Sequence, residues 1–154
     1  MAARLVPPPG TRFPLEGDES QAFLLGPGLE GHLTFAELLG FHDPASDAYT
    51  LLLEVKSMIV GAACLVLTET AVKVDYIARN FAFSDRGVQV GTTLLQAIEA
   101  AAKAWGAQTI RLDSLEDPEL LAWYGRRGFA AGGEPFIDAT FGWVRPLVKR
   151  VGPL

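Results

Sequence analysis

Residues 86–92 read RGVQVGT and lead into TLLQAIEAAAKAWG. Their types and spacing suit them to hold an anion. The first turn of a helix carries unpaired N–H groups and the positive end of the macrodipole. Gly87 and Gly91 leave room for a ligand to approach the backbone. Arg86 adds a charge that can pair with phosphate, and Thr92 and Thr93 add hydroxyl donors. A pyrophosphate suits such a surface. A plain tight turn fits the same residues, and the loop alone does not separate the two. A Walker loop is excluded, because Gly-Lys-Ser/Thr is missing. The dinucleotide fingerprint does not fit, because three consecutive strand-like runs precede the loop and its glycines are spaced differently. Further along, Tyr124 stands in LLAWYGRRGF. It can serve as a proton donor or as an amphipathic core residue, and the chemistry leaves both open.

The elements around these residues follow from periodicity. AYTLLLEV and MIVGAACLVL are β-rich runs separated by a KS turn, an antiparallel hairpin with a second turn near Thr68–Thr70. AVKVDYIARNFAF opens with alternation, which places Val72, Val74 and Tyr76 on one face and Lys73 and Asp75 on the other. From Thr92 the period becomes helical through Leu94, Leu95, Ile98, Ala101, Ala102 and Trp105, with Gly106 as the stop. AQTIRLDSL is a short strand. Asp117 is a good N-cap, Pro118 suits the first helical position, and the helix closes at Gly128. The chain ends in a pair of strands. Near the start, Thr34 caps a short helix over LTFAELLGF, and Ala22–Leu25 is a short strand.

The bulk numbers bound the class. The chain has 154 residues, 49% of them hydrophobic, enough for one domain with a real core. Residues 1–154 read as a single domain in which 1–33 form a poorly patterned arm. Thirteen basic and eighteen acidic side chains give a net charge of −5, a poor match to nucleic acid or an anionic membrane. The single cysteine, Cys64, excludes an internal disulfide and a cysteine-based zinc site. It reads as a small buried hydrophobe. No apolar run approaches a membrane span, so a cytoplasmic location is expected.

The order of these segments resembles the GNAT superfamily of acyl-CoA-dependent N-acyltransferases. YIARN stands for the family's strand end, RGVQVG for its Arg/Gln-x-x-Gly-x-Gly/Ala loop, and IRLDS for the next strand. LLAWYGRRGF stands for its Tyr and Gly-Phe segment, and VGAACLVL is similar to its preceding strand. The match covers residues 49–130; residues 1–33 match nothing in particular. Gln89 departs from the pattern, standing at its first glycine. The resemblance implies an α/β (α+β) fold with a central mixed, mostly antiparallel sheet, splayed at the cofactor cleft and flanked by helices.

The resemblance also implies roles. Arg86, Gly87, Val88, Gln89, Val90, Gly91 and Thr92 would hold the CoA pyrophosphate, mostly through backbone. Binding is expected to survive Gln89 because N–H groups carry it. Ile77, Ala78 and Arg79 would pair with pantetheine and polarise the thioester carbonyl. Tyr124 would be the general acid for the departing thiolate. Asp75 would accept the amine's proton, with Glu54 a second candidate. Asp113 and Glu116 could recognise a cationic acceptor. By residue type alone, Asp75 and Glu54 read first as solvated strand carboxylates, and His32 and His42 read as surface residues. The implied activity is transfer of an acetyl group from acetyl-CoA to an unidentified amine by direct attack in a ternary complex, with no metal. A homodimer is compatible with the family. The alternative is a non-catalytic GNAT-like domain acting as a CoA-sensing or protein-interaction module.

Overall fold

A computed structural model describes residues 2–6, 22–24, 33–34, 48–56, 58–80, 90–139 and 141–152. Among these residues the architecture is one mixed, mostly antiparallel sheet with two helices. Its strands run β1 (Ala2–Val6), β2 (Ala22–Leu24), β3 (Leu33–Thr34), β4 (Ala48–Val55), β5 (Met58–Leu67) and β6 (Ala71–Asn80). Helix α1 (Val90–Ala104), β7 (Thr109–Leu115), α2 (Pro118–Arg126), β8 (Ala130–Ala131), β9 (Phe136–Asp138) and β10 (Gly142–Arg150) complete the order. The spatial order is β1-β4-β5-β6-β7-β10-β8. Among the described residues only β6 and β7 pair in parallel, and α1 lies in the crossover that a parallel pair requires.

The hairpins, α1 and α2 follow the sequence pattern. The Thr68 amide bonds to the Ala71 carbonyl and closes the turn between β5 and β6. Asp117 Oδ1 accepts from the amides of Glu119 at 2.8 Å and Leu120 at 3.3 Å, so the cap of α2 is in place. Gly106, with φ +75°, ends α1, and Gly128, with φ +94°, reverses the chain after α2.

Two readings of the N-terminal third change. Residues Ala2–Val6 are not irregular: they form β1, paired with Thr50–Glu54 of β4. Thr34 is not a helix cap but part of β3, which pairs with β2; residues 35–47 lie outside the described residues. The chain also ends in three strands rather than two.

The larger core cluster lies between the sheet and the helices. Val90, Leu94, Leu95, Ile98 and Ala102 of α1 pack onto Val60, Ala63 and Leu65 of β5 and Val72 and Val74 of β6. Each such buried Leu or Ile contributes about 1.5–3 kcal/mol. Gly61 makes the close approach possible, since a Cβ there would sit 2.9 Å from both Leu94 Cδ1 and Val90 Cγ1. The opposite face carries Leu52, Ile59, Ala62, Cys64, Tyr76 and Ala78.

The expected alternation of β6 breaks at one residue. Cys64 pairs with Tyr76 and Leu65 with Val74, so Asp75 is the extra residue of a β-bulge. Val72 and Val74 face the helices, whereas Tyr76 and Ala78 face away. Tyr76 therefore does not share a face with Val74. The bulge also bends the strand, and pairing of β6 with β7 stops at Val74↔Leu112.

Candidate active site

Beyond Val74 the two parallel strands diverge. β6 continues on β5 through Gly61↔Arg79, while β7 continues on β10 through Val144↔Leu115. A cleft opens between them, enclosing about 510 Å³ with its mouth. Its walls include Asp75, Tyr76 and Ile77 from β6, Asp113 and Ser114 from β7, and Tyr124 from α2. Among the described residues, nothing pairs with this edge of β6 from Asp75 to Ala78.

Arg79 is placed differently from Ile77 and Ala78. β2 lies along the same edge, with Leu24 opposite Arg79 and Phe23 opposite Asn80. A ligand extended along β6 thus has the bulge and the two residues after Tyr76 available, and it meets β2 at Arg79. Asn80 is fully buried, and its Nδ2 donates to the Ile59 carbonyl at 2.8 Å. That bond ties the end of β6 back to β5.

Tyr124 is 8% exposed, held edge-on by Trp123 and Phe129 with ring centres 5.0 and 5.5 Å away. Burial pushes its phenol up to about 12. Its hydroxyl has no partner among the described residues and is not shut into the dry core. It is a neutral O–H facing the cleft at any ordinary pH.

Asp75 is exposed at the bulge and lines the cleft. The Cys64 thiol donates to its Oδ2 over 3.9 Å. Burial first, and the Asp75 charge second, push that thiol up to about 12, so Cys64 is inert as a nucleophile. Burial also raises the Tyr76 phenol far above its ordinary value. Of the other carboxylates, Asp113 joins the cleft. Glu54 does not: it sits two strands away on β4, paired with Arg4 at 2.6 Å. Glu116 is held by the Arg145 guanidinium at 2.7 Å.

The first turn of α1 packs between Gly61 of β5 and Trp123 of α2. Val90 is fully buried, and Gly91 packs under Trp123, where an added Cβ would meet the indole at 3.2 Å. Helix packing alone thus favours glycine at position 91. Arg86, Gly87, Val88 and Gln89 lie outside the described residues, as do His32 and His42.

The fold has counterparts among solved structures. A GNAT family acetyltransferase from Elizabethkingia anophelis with acetyl-CoA bound superposes with a TM-score of 0.64 at 16% identity, over 96% of this chain and 97% of that one. The fold is the GNAT fold. The aminoglycoside 6'-N-acetyltransferase from Enterococcus faecium gives 0.59 at 16% identity, over 79% and 81% of the two chains. An aminoglycoside 6'-N-acetyltransferase complexed with coenzyme A gives 0.57 at 15%, over 70% and 74%. No protein-family model matches the chain, and no curated protein does. Among the described residues, no helix is long and apolar enough to cross a membrane.

One contact at the first turn of α1 escaped the sequence reading. Arg127 donates from Nη2 to Thr92 Oγ1 at 3.0 Å, across 35 positions of chain. In the sequence it is one of two adjacent arginines before a glycine, a pattern that marks only a solvated helix end.

Proposed function

We propose that this protein is an acyl-CoA-dependent N-acetyltransferase that joins acetyl-CoA and an amine in one ternary complex. The observation that carries the reading is the cleft between β6 and β7. It offers a strand edge unpaired among the described residues, a neutral phenol and an exposed carboxylate in one place.

The residues present fit the donor. The free edge of β6 at Ile77 and Ala78 offers backbone groups to the amides of a pantetheine arm. Gly91 and Thr92, in the first turn of α1, offer its phosphates a helix N-terminus. Bound acetyl-CoA supplies an activated thioester carbonyl. The β6 backbone holds that carbonyl where negative charge develops as the amine attacks. Asp75 takes the proton the amine nitrogen gives up, directly or through one water. As the carbon–sulfur bond breaks, Tyr124 gives its phenolic proton to the leaving sulfur and regains one from solvent. The raised phenol keeps that proton available throughout the neutral range. Asp113, beside the cleft, adds negative charge suited to a cationic acceptor.

The pairing of β2 with Arg79 and Asn80 favours the second reading, because part of the edge is filled by the chain itself. On that reading the domain binds CoA weakly and serves as a sensing or protein-interaction module. Thiol release from acetyl-CoA, followed against a panel of primary amines, separates the two. Amine-dependent release supports the enzyme. Donor binding with no release for any amine supports the module.

A further inference from the structure

Arg127 follows α2 and reaches back to the first turn of α1. Besides its bond to Thr92, its Nη1 donates to the Trp123 carbonyl at 3.0 Å, and its guanidinium lies 3.9 Å from the centre of the Trp123 ring. The same indole closes on Gly91. The cation is therefore fixed beside the positive end of a helix, which is electrostatically uphill. The first turn of α1 has no acidic residue, and no carboxylate pairs with Arg127 among the described residues.

A cavity adjoins this corner, about 580 Å³ with its mouth, lined in part by Thr92, Gln96, Glu99, Arg127 and Lys149. Glu99 is its carboxylate, already engaged by Lys103 at 3.2 Å and Lys149 at 3.0 Å. Positive charge is thus in excess. Two donors also call for an acceptor. Arg127 Nε is buried without a partner among the described residues. The Thr92 oxygen already accepts from Arg127, so its own hydrogen is directed elsewhere.

We propose that Arg127, with Thr92 and Lys149, forms an anion subsite that takes a phosphate group of the acyl donor. The inference rests on the acyl-CoA reading and extends it to residues outside the loop. The phosphate supplies the negative charge that the helix end and the guanidinium both lack, and it accepts from the Thr92 hydroxyl. CoA offers two phosphate sources, the pyrophosphate and the ribose 3′-phosphate, with the same chemistry.

The test is calorimetric titration of the full chain and its Arg127→Met and Arg127→Lys variants with CoA, dephospho-CoA and inorganic pyrophosphate. Methionine keeps an apolar stem over Trp123; lysine keeps the charge and loses the fork. Arg127→Met should bind CoA at least about tenfold more weakly, with a shallower salt dependence, and Arg127→Lys should fall between. A loss seen with CoA but not dephospho-CoA assigns the 3′-phosphate, and a loss with both assigns the pyrophosphate; either supports the subsite. Equal CoA affinity in a variant that melts like the parent overturns it. If the parent chain binds no CoA, the acyl-CoA reading fails and pyrophosphate decides: Arg127-dependent binding retains the anion subsite, and no binding removes it. If Arg127→Met does not fold, Arg127→Lys and Thr92→Val carry the same comparison.

Discussion

Removing the Tyr124 hydroxyl should separate catalysis from stability. In Tyr124→Phe the ring keeps its edge contacts with Trp123 and Phe129. The lost hydroxyl leaves no buried partner orphaned, so folding stability should shift by no more than about 0.5 kcal/mol. Truncation to alanine would instead cost about 3–5 kcal/mol, because it empties a well-packed site. Turnover should fall about 100-fold or more, the usual contribution of a positioned general acid, with donor affinity unchanged. The variant should also resist alkali better. Tyr124 titrates at about 12 in the folded chain against an ordinary 10 when unfolded. Its contribution is complete below pH 10 and is lost as pH rises through 12, roughly 3 kcal/mol at the limit. Urea melts at pH 7 and pH 11, beside steady-state kinetics and donor titration, measure all of this. Full turnover, or a loss of turnover matched by a loss of stability, would remove Tyr124 from the mechanism.

Three further expectations follow from particular contacts. Asp75→Asn should lower turnover severalfold or more without changing acetyl-CoA affinity, since an amide cannot take the amine's proton; unchanged turnover across pH 6–9 would assign the base elsewhere. Gly61→Ala should cost about 1–3 kcal/mol in a denaturant melt, because its Cβ would meet Val90 and Leu94 at 2.9 Å, and it should weaken donor binding by shifting the first turn of α1. An unshifted melt would show that α1 yields there at no cost. Asp117→Ala should cost about 1 kcal/mol through loss of the α2 cap; a change under a few tenths would mean that packing, not the cap, holds the helix bearing Tyr124.

The legible parts of the fold were those with local signals. Asp117 and Pro118 mark the start of α2 by their own chemistry, and the spacing of Leu94, Leu95, Ile98 and Ala102 marks the buried face of α1. The bulge was not legible, because V-K-V-D-Y alternates in type whether or not the backbone inserts a residue. Only the register against β5 reveals that Asp75 is extra and that Tyr76 turns away. β1 was missed because AARLV is short, and its partner strand lies some fifty positions on. Thr34 has the chemistry of a cap, but pairing with β2 decided its state. The site divides in the same way. Tyr124, Asp75 and Ile77 reach one cleft along elements whose order the sequence displays. Arg127 depends on a tertiary contact to Thr92 that no spacing announces.

The central claim is that the corner between β6 and the first turn of α1 receives an acyl-CoA. Calorimetric titration of the purified chain with acetyl-CoA and with desulfo-CoA tests it most directly. Saturable one-to-one binding of both in the micromolar range is the expected result. Absence of binding up to millimolar donor, in a chain that melts cooperatively, would contradict it.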